Sequence, residues 1–330
     1  MSAPAATVVT RAVVLAVVLV VALAVVLAAL LGAAPRAAAA PPEYVALGDS
    51  YSSGTGTRSY LADGTACQRS VHAYPSLLAA AKGYSLNLRA CSGATTSDVR
   101  ALQLGALSAG TAYATISVGG NDAGFSSVLS TCAEPWWAAD CHGAIDTAQT
   151  FITGSLPGAL RSLYGAIRSR ATAARVVVVG YPRIFDGTDC NALTWFSSSE
   201  MTRLNATADL LNRTTARAAA AAGFAFANPT SRFTGHAVCD DPEWINGLSY
   251  PVSESYHPNT SGHRYGYLPL VSRVLTGVAA TGSSSVVRTA EASAERLARQ
   301  QRRYAGADRA VEPATITAPV GPSNGGPGAR

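Results

Sequence analysis

Short apolar runs separated by amphipathic stretches fill the middle of the chain, and their spacing predicts alternating strands and helices. Tyr44–Leu47 is apolar throughout and reads as a first strand, Leu86–Ala90 alternates as a second, and Ala114–Val118 is a third. Arg175-Val-Val-Val-Val-Gly180 is the clearest buried strand, and Gly223–Ala227 reads as a fifth. Between them, Tyr74–Lys82 reads as a helix with Pro75 suited to its first turn, and Ser155–Thr172 as another. Ser198–Ala222 is a long Ala-rich helix that Ser198 or Ser199 would cap, and a last helix is expected from near Pro258. Such alternation predicts an α/β fold, a parallel sheet with helices on both faces.

The two ends depart from this pattern. Ala12–Ala34 holds no charged or polar side chain, Arg11 precedes it and an Ala-rich stretch follows, so residues 1–39 read as a secretory signal peptide. Cleavage after Ala39 satisfies the small-x-small rule. The run is also long enough to span a bilayer, which makes a retained N-terminal anchor the alternative. Either way the rest of the chain is expected outside the cell. Residues 41–282 form the expected folded domain. Beyond them, Val286–Tyr304 could form a charged helix with too few apolar residues to need a core. Ala305–Arg330 is rich in Pro, Gly, Ala and Thr and is expected to be disordered.

Charge adds little. The formal net charge of +5 invites a nucleic-acid reading, but residues 41–282 carry 16 basic and 16 acidic side chains, so the excess lies in the signal and the tail. No nucleic-acid partner is expected. Cysteine adds more. Cys67, Cys91, Cys132, Cys141, Cys190 and Cys239 all follow the signal, none in a Cys-x-x-Cys pair, which favours disulfides over a metal centre. Sequential pairing is favoured because each bridge then closes a local loop, and cysteines sit in irregular Gly/Trp/Asp-containing stretches that need stapling.

Four blocks fall at or after the carboxyl ends of expected strands, the edge where an open parallel sheet binds ligands. They are Gly48-Asp49-Ser50, Ser92-Gly93-Ala94, Gly119-Gly120-Asn121-Asp122 and Glu254-Ser255-Tyr256-His257-Pro258-Asn259. Ester hydrolysis needs a nucleophile, a base and donors for a developing oxyanion. Ser50 can be the nucleophile and His257 the base. Gly93 can bring a backbone N–H close, and Asn121 offers a side-chain N–H₂. Taken singly each block is an ordinary turn or loop; the weight lies in all four occurring in order at one edge. The polar, Gly-rich run after Ser50 is expected to keep the serine accessible. His72, His142, His236 and His263 show no ligand spacing, and neither a metal nor another cofactor is expected.

On these blocks the chain resembles the GDSL, or SGNH, hydrolases, and within them the secreted, disulfide-bonded bacterial lipases and esterases. The matching residues are Gly48-Asp49-Ser50-Tyr51-Ser52-Ser53-Gly54, Cys91-Ser92-Gly93-Ala94, Gly119-Gly120-Asn121-Asp122, and His257-Pro258-Asn259 followed by Gly262-His263. The resemblance implies a flavodoxin-like three-layer α/β/α sandwich around a five-stranded parallel sheet. It implies Ser50 as nucleophile, His257 as base, and an oxyanion hole of the Ser50 and Gly93 N–H groups with the Asn121 side chain. It also supports Cys67–Cys91, Cys132–Cys141 and Cys190–Cys239 bridges. The usual acid, an Asp three residues before the histidine, is replaced here by Glu254. That residue is the expected partner of His257, with the Ser255 main-chain carbonyl as the alternative.

The implied function is a secreted ester hydrolase, a monomer acting on acyl esters or lipids, with transient contact to a lipid interface. Trp136, Trp137, Trp195, Phe196 and Trp244 lie in loop regions where they could face acyl chains or pack on the bridges. Polysaccharide deacetylation at the same site is an alternative. A non-catalytic surface-anchored binding module is disfavoured, because nucleophile, base and oxyanion donors are all present.

Overall fold

The computed structural model describes residues 13, 15–24 and 39–312. The N-terminal unit, residues 1–40, is separate from the unit spanning 41–330, and its described residues 15–24 are helical. Most of the signal assignment, and the tail from residue 313, lie outside the described residues. Among the described residues no helix is long and apolar enough to cross a membrane.

The five expected strands are all present: β1 (Glu43–Gly48), β2 (Ser85–Leu88), β3 (Thr111–Ser117), β4 (Arg175–Val179) and β5 (Ala225–Ala227). They form one parallel sheet in the order β2-β1-β3-β4-β5. A strand buried on both faces reads as a continuous apolar run, which is why Val176–Val179, at most 3 % exposed, was legible. In this order the chain leaves β1 for β2 on one side and returns to β3 on the other. The β1/β3 edge is therefore the topological switch point where such sheets bind ligands.

The helices are α1 (Ser50–Ser53), α2 (Tyr74–Lys82), α3 (Phe125–Ala133), α4 (Cys141–Gly154), α5 (Leu156–Arg170) and α6 (Ser198–Ala221). They continue with α7 (Leu268–Thr276), α8 (Ser284–Glu291), α9 (Ala294–Arg302) and α10 (Ala305–Asp308). The cap of α6 is Ser197, whose hydroxyl accepts from the Glu200 N–H while Glu200 reaches back. Helices α3 and α4 stand where irregular loops were expected around Cys132 and Cys141. Helix α3 starts from Gly124 at φ +71°, without a capping side chain to announce it. Near Pro258, residues Gly262–Tyr267 wind as a wider turn first, and α7 begins only afterwards. Bridges join Cys67 to Cys91, Cys132 to Cys141 and Cys190 to Cys239.

The largest departure from expectation is the C-terminal segment. The boundary at residue 282 is not a boundary of the fold, because α8, α9 and α10 pack on it. Ala290, Leu297, Ala298 and Gln301 are buried, and so is Asp308. Gln301 Nε2 donates to Asn87 Oδ1 on β2 at 3.0 Å, so α9 covers an edge strand of the sheet. Asp308 sits between two buried arginines: its Oδ2 accepts from Arg69 Nη2 at 2.8 Å and its Oδ1 from Arg89 Nη2 at 2.7 Å. Asp63 takes the other side of Arg69 at 2.8 Å, and Gln301 Oε1 accepts from Arg89 Nη1 at 3.0 Å. Burial lowers the Arg69 guanidinium from its ordinary value, and the Asp308 charge is the largest influence opposing it. The segment is held by an ion cluster together with a short apolar stripe of Val286, Val287, Ala290, Ala294 and Leu297 packed on the core, and hydrophobic periodicity does not register the ionic part.

Replacing Asp308 by Ala leaves two guanidinium groups buried beside a vacated position. Unpairing a buried charge costs about 3–5 kcal/mol, so urea unfolding of Asp308→Ala should show a loss of that order. A loss under about 1 kcal/mol would mean the arginines find other partners and the cluster does not hold the segment.

Candidate active site

The site begins where β1 ends. Gly48 has φ +115°, and a Cβ there would lie 2.1 Å from the Ser117 carbonyl oxygen, so only glycine lets β1 approach β3 this closely. Gln103 pins the same residue from the other side, accepting from its N–H at 2.7 Å and donating to its carbonyl at 2.9 Å. The next residue, Asp49, caps α1 by accepting from the Tyr51 N–H. Ser50 is thus the first residue of a helix, and its N–H has no intrahelical acceptor.

Asp49 does more than cap. Its Oδ1 accepts from Ser117 Oγ at 2.6 Å, and its Oδ2 accepts from the Tyr181 hydroxyl. Burial raises its carboxyl to about 6, with the Ser117 and Tyr181 hydrogen bonds opposing the shift. Tyr181 in turn accepts from the Gly120 N–H at 3.4 Å. Its own hydroxyl is pushed well above the ordinary range, first by burial and then by the Asp49 charge, so it remains a donor. Asn121 follows Gly120, and its Nδ2 donates to the Ala94 carbonyl at 3.0 Å. A chain of contacts therefore links Asp49, beside Ser50, through Tyr181 and Gly120 to Asn121 and on to Ala94, beside Gly93. Gly93 itself has φ +87°. Gly93 and Asn121 line an open cleft of about 580 Å³ with Thr95, Asp98 and the start of α3.

His257 meets Ser50 directly: its Nε2 lies 2.8 Å from Ser50 Oγ. Its Nδ1 lies 2.9 Å from the Ser255 carbonyl oxygen. A carbonyl can only accept, so Nδ1 carries the proton and Nε2 is left as the acceptor for the serine hydroxyl. Burial pushes the imidazole down to about 4, with the Ser255 carbonyl opposing, so the ring is neutral at neutral pH. The histidine loop is braced by Tyr51, whose hydroxyl donates to the Tyr256 carbonyl at 2.8 Å and whose ring packs on His257.

Two expectations need correction. Glu254 does not hold His257: its Oε1 accepts from the Tyr60 hydroxyl at 2.6 Å, and Oε2 lies 3.5 Å from Arg58 Nε. The turn Val252–Glu254 sends this longer carboxylate towards residues 58–60, while the main chain two residues before the histidine takes Nδ1. The run after Ser50 does not expose it either. Residues 50–57 are buried and Ser50 is only 4 % exposed. At Gly56 a Cβ would meet Pro258 O at 2.7 Å and His257 Cβ at 2.9 Å, so the glycine allows this run to pack against the histidine loop. Gln103, Ser117, Tyr181 and Tyr51 also belong to the site; of these only Tyr51 falls in one of the family-like blocks, and the others carry no local signal.

A profile of the GDSL-like Lipase/Acylhydrolase family matches residues 46–265, a span that includes Ser50, Gly93, Asn121 and His257. The chain belongs to this family. The GDSL hydrolase is 45 % identical to Lipase 1 of Streptomyces coelicolor over 69 % of its own length and 85 % of that protein's. The crystal structure of an extracellular lipase from Streptomyces rimosus superposes with a TM-score of 0.67 at 42 % identity, covering 71 % of this chain and 99 % of that one. Phospholipase A1 from Streptomyces albidoflavus gives a TM-score of 0.67 at 40 % identity, covering 71 % and 100 %. The chain is a serine ester hydrolase of this family.

Because a depressed histidine pKa favours the neutral ring, the proton-accepting form is lost only as pH falls through the folded value. NMR titration of the His257 ring should show it neutral at pH 5.5, with a midpoint near 4. A midpoint at 6.5 or above would show that the ring is solvated or paired with a carboxylate.

Proposed function

We propose that this GDSL hydrolase cleaves carboxylic esters of lipids through an acyl-enzyme formed on Ser50, with His257 as its base. The observation that carries the reading is the 2.8 Å contact between His257 Nε2 and Ser50 Oγ, with Nδ1–H held by the Ser255 carbonyl. Ser50 Oγ attacks the acyl carbonyl as its proton passes to Nε2. The tetrahedral oxygen accepts from the N–H groups of Ser50 and Gly93 and from Asn121 Nδ2, whose second hydrogen is not used by Ala94. Donors of this kind are worth about 3–4 kcal/mol each. Collapse returns the proton to the alkoxide leaving group, and water then releases the acyl chain by the same steps in reverse. The imidazolium formed in between leans on a carbonyl dipole, so the catalytic unit is a dyad with a main-chain orienter.

The open cleft at Gly93 and Asn121 is the place for substrate. The apolar crevice beside Gly120, lined by Phe125, Tyr181, Leu204 and Leu211, has only about 20 Å³ of room. Export outside the cell fits three disulfides in a chain whose residues 12–34 are an uninterrupted apolar run. Contact with a lipid surface fits Trp136 and Trp137, which are 80 % and 69 % exposed and meet edge-on between the half-cystines Cys132 and Cys141.

Steady-state kinetics on p-nitrophenyl butyrate test the mechanism. Ser50→Ala and His257→Ala should each lose about 10³-fold or more in kcat, whereas Glu254→Gln should stay within about tenfold of wild type. Comparable losses at Glu254 and His257 would restore the carboxylate as third member, and a folded Ser50→Ala variant with near-normal turnover would remove the serine. The double variant Trp136→Ser, Trp137→Ser should slow hydrolysis of phosphatidylcholine vesicles several-fold and leave soluble butyrate hydrolysis unchanged. Equal effects on both would place the tryptophans in the fold rather than at an interface.

A further inference from the structure

The cleft that carries Gly93 and Asn121 is walled on another side by Ala310 and Glu312. These residues lie well beyond the family-matched span of 46–265, on the segment that follows α10. The segment that carries them is anchored at two points. Asp308 is locked between Arg69 and Arg89, and Val311, 6 % exposed, packs into the main core. The wall is therefore held in place by the same ion cluster that fastens the C-terminal helices.

Its chemistry is one-sided. Among the described residues, the ionisable side chains lining the cleft are Asp98 and Glu312, with no lysine or arginine. Asp98 is tied into its own turn, accepting from the Thr95 N–H at 2.9 Å and the Thr95 hydroxyl at 2.6 Å. Glu312 is exposed, lines the cleft, and makes no hydrogen bond or ion pair among the described residues. Two carboxylates beside the oxyanion donors oppose any substrate that carries a second negative charge near its ester. They also oppose retention of the carboxylate that ester hydrolysis produces.

We propose that the C-terminal arm is a specificity-determining wall of the active-site cleft, with Glu312 disfavouring anionic esters relative to neutral and cationic ones. The proposal rests on the reading of this cleft as the ester-binding site. It assigns the arm a task for the known reaction that the family-matched residues do not include.

The test compares kcat/KM of the full chain for two soluble probes at low ionic strength. One is neutral p-nitrophenyl butyrate; the other is the mono-p-nitrophenyl ester of glutaric acid, whose free carboxylate is ionised. In Glu312→Lys the anionic-to-neutral ratio should rise about five- to tenfold over wild type, and in Glu312→Gln by about two- to threefold, both gains shrinking as salt is added. Glu312 is exposed, so neither substitution should disturb folding, and an unchanged melting temperature checks this. A ratio within about 1.5-fold of wild type in Glu312→Lys, or one that rises without any salt dependence, overturns the proposal. If wild type hydrolyses neither probe, the reading of the site as an esterase fails with it. If wild type hydrolyses butyrate normally and only the ratio is unmoved, the arm's role alone is lost.

Discussion

The Asp49 carboxylate is the point on which the site depends. It is 1 % exposed and accepts from Tyr51, Ser117 and Tyr181, so one buried charge joins the start of α1 to β3 and to the segment after β4. A buried carboxylate without these donors would be strongly destabilised. With them, its demand for partners dictates where three chain segments must be. Tyr181 carries the constraint onward to the Gly120 N–H, and hence to the loop bearing Asn121. Ser50 and Asn121, the proposed nucleophile and oxyanion donor, are in this way positioned by the same group.

Around that anchor the reacting atoms are set by backbone more than by side chains. The Ser255 carbonyl selects the His257 tautomer, and Gly48 and Gly56 allow contacts under 3 Å from where a Cβ would sit. A main-chain acceptor needs no charged partner in a dry site, and the imidazole stays neutral and ready to accept a proton. Glu254 is thereby free for another task, fastening Tyr60 and Arg58 next to the histidine loop. The loop itself is closed by Asn246, which exchanges main-chain hydrogen bonds with Tyr256 and His257.

A second buried charge cluster serves the opposite end of the chain. Arg69 and Arg89 lie two residues from the half-cystines Cys67 and Cys91, so the disulfide and the ion cluster reinforce one another. Asp308 closes the cluster from 219 and 239 residues away in sequence. Arg89 also stacks on the Tyr304 ring at 3.9 Å, which adds a cation–π contact to the same joint. The C-terminal helices thus become part of the fold through charge as well as apolar packing, and the segment after them lines the cleft of Gly93 and Asn121.

The five-stranded parallel sheet was legible in the sequence, and so was the set of residues that meet at its edge. Val176–Val179 announces a strand buried on both faces because its run of valines has no polar interruption, and Tyr74–Lys82 announces a helix through Pro75. Gly48-Asp49-Ser50 and His257 were legible as chemistry because their order places them at one sheet edge, where the structure brings Ser50 and His257 into contact. Which atom orients His257 rests on tertiary contacts, because Glu254 turns to Tyr60 and Arg58 and leaves the Ser255 carbonyl at Nδ1. Only the tertiary structure revealed Gln103 and Tyr181, each an ordinary residue until a partner 55 or 132 positions away comes within hydrogen-bond distance. It alone also drew residues 284–312 into the fold. Part of their anchor is the pairing of Asp308 with two distant arginines, and an ion pair between separated residues leaves no periodic trace in either stretch of sequence.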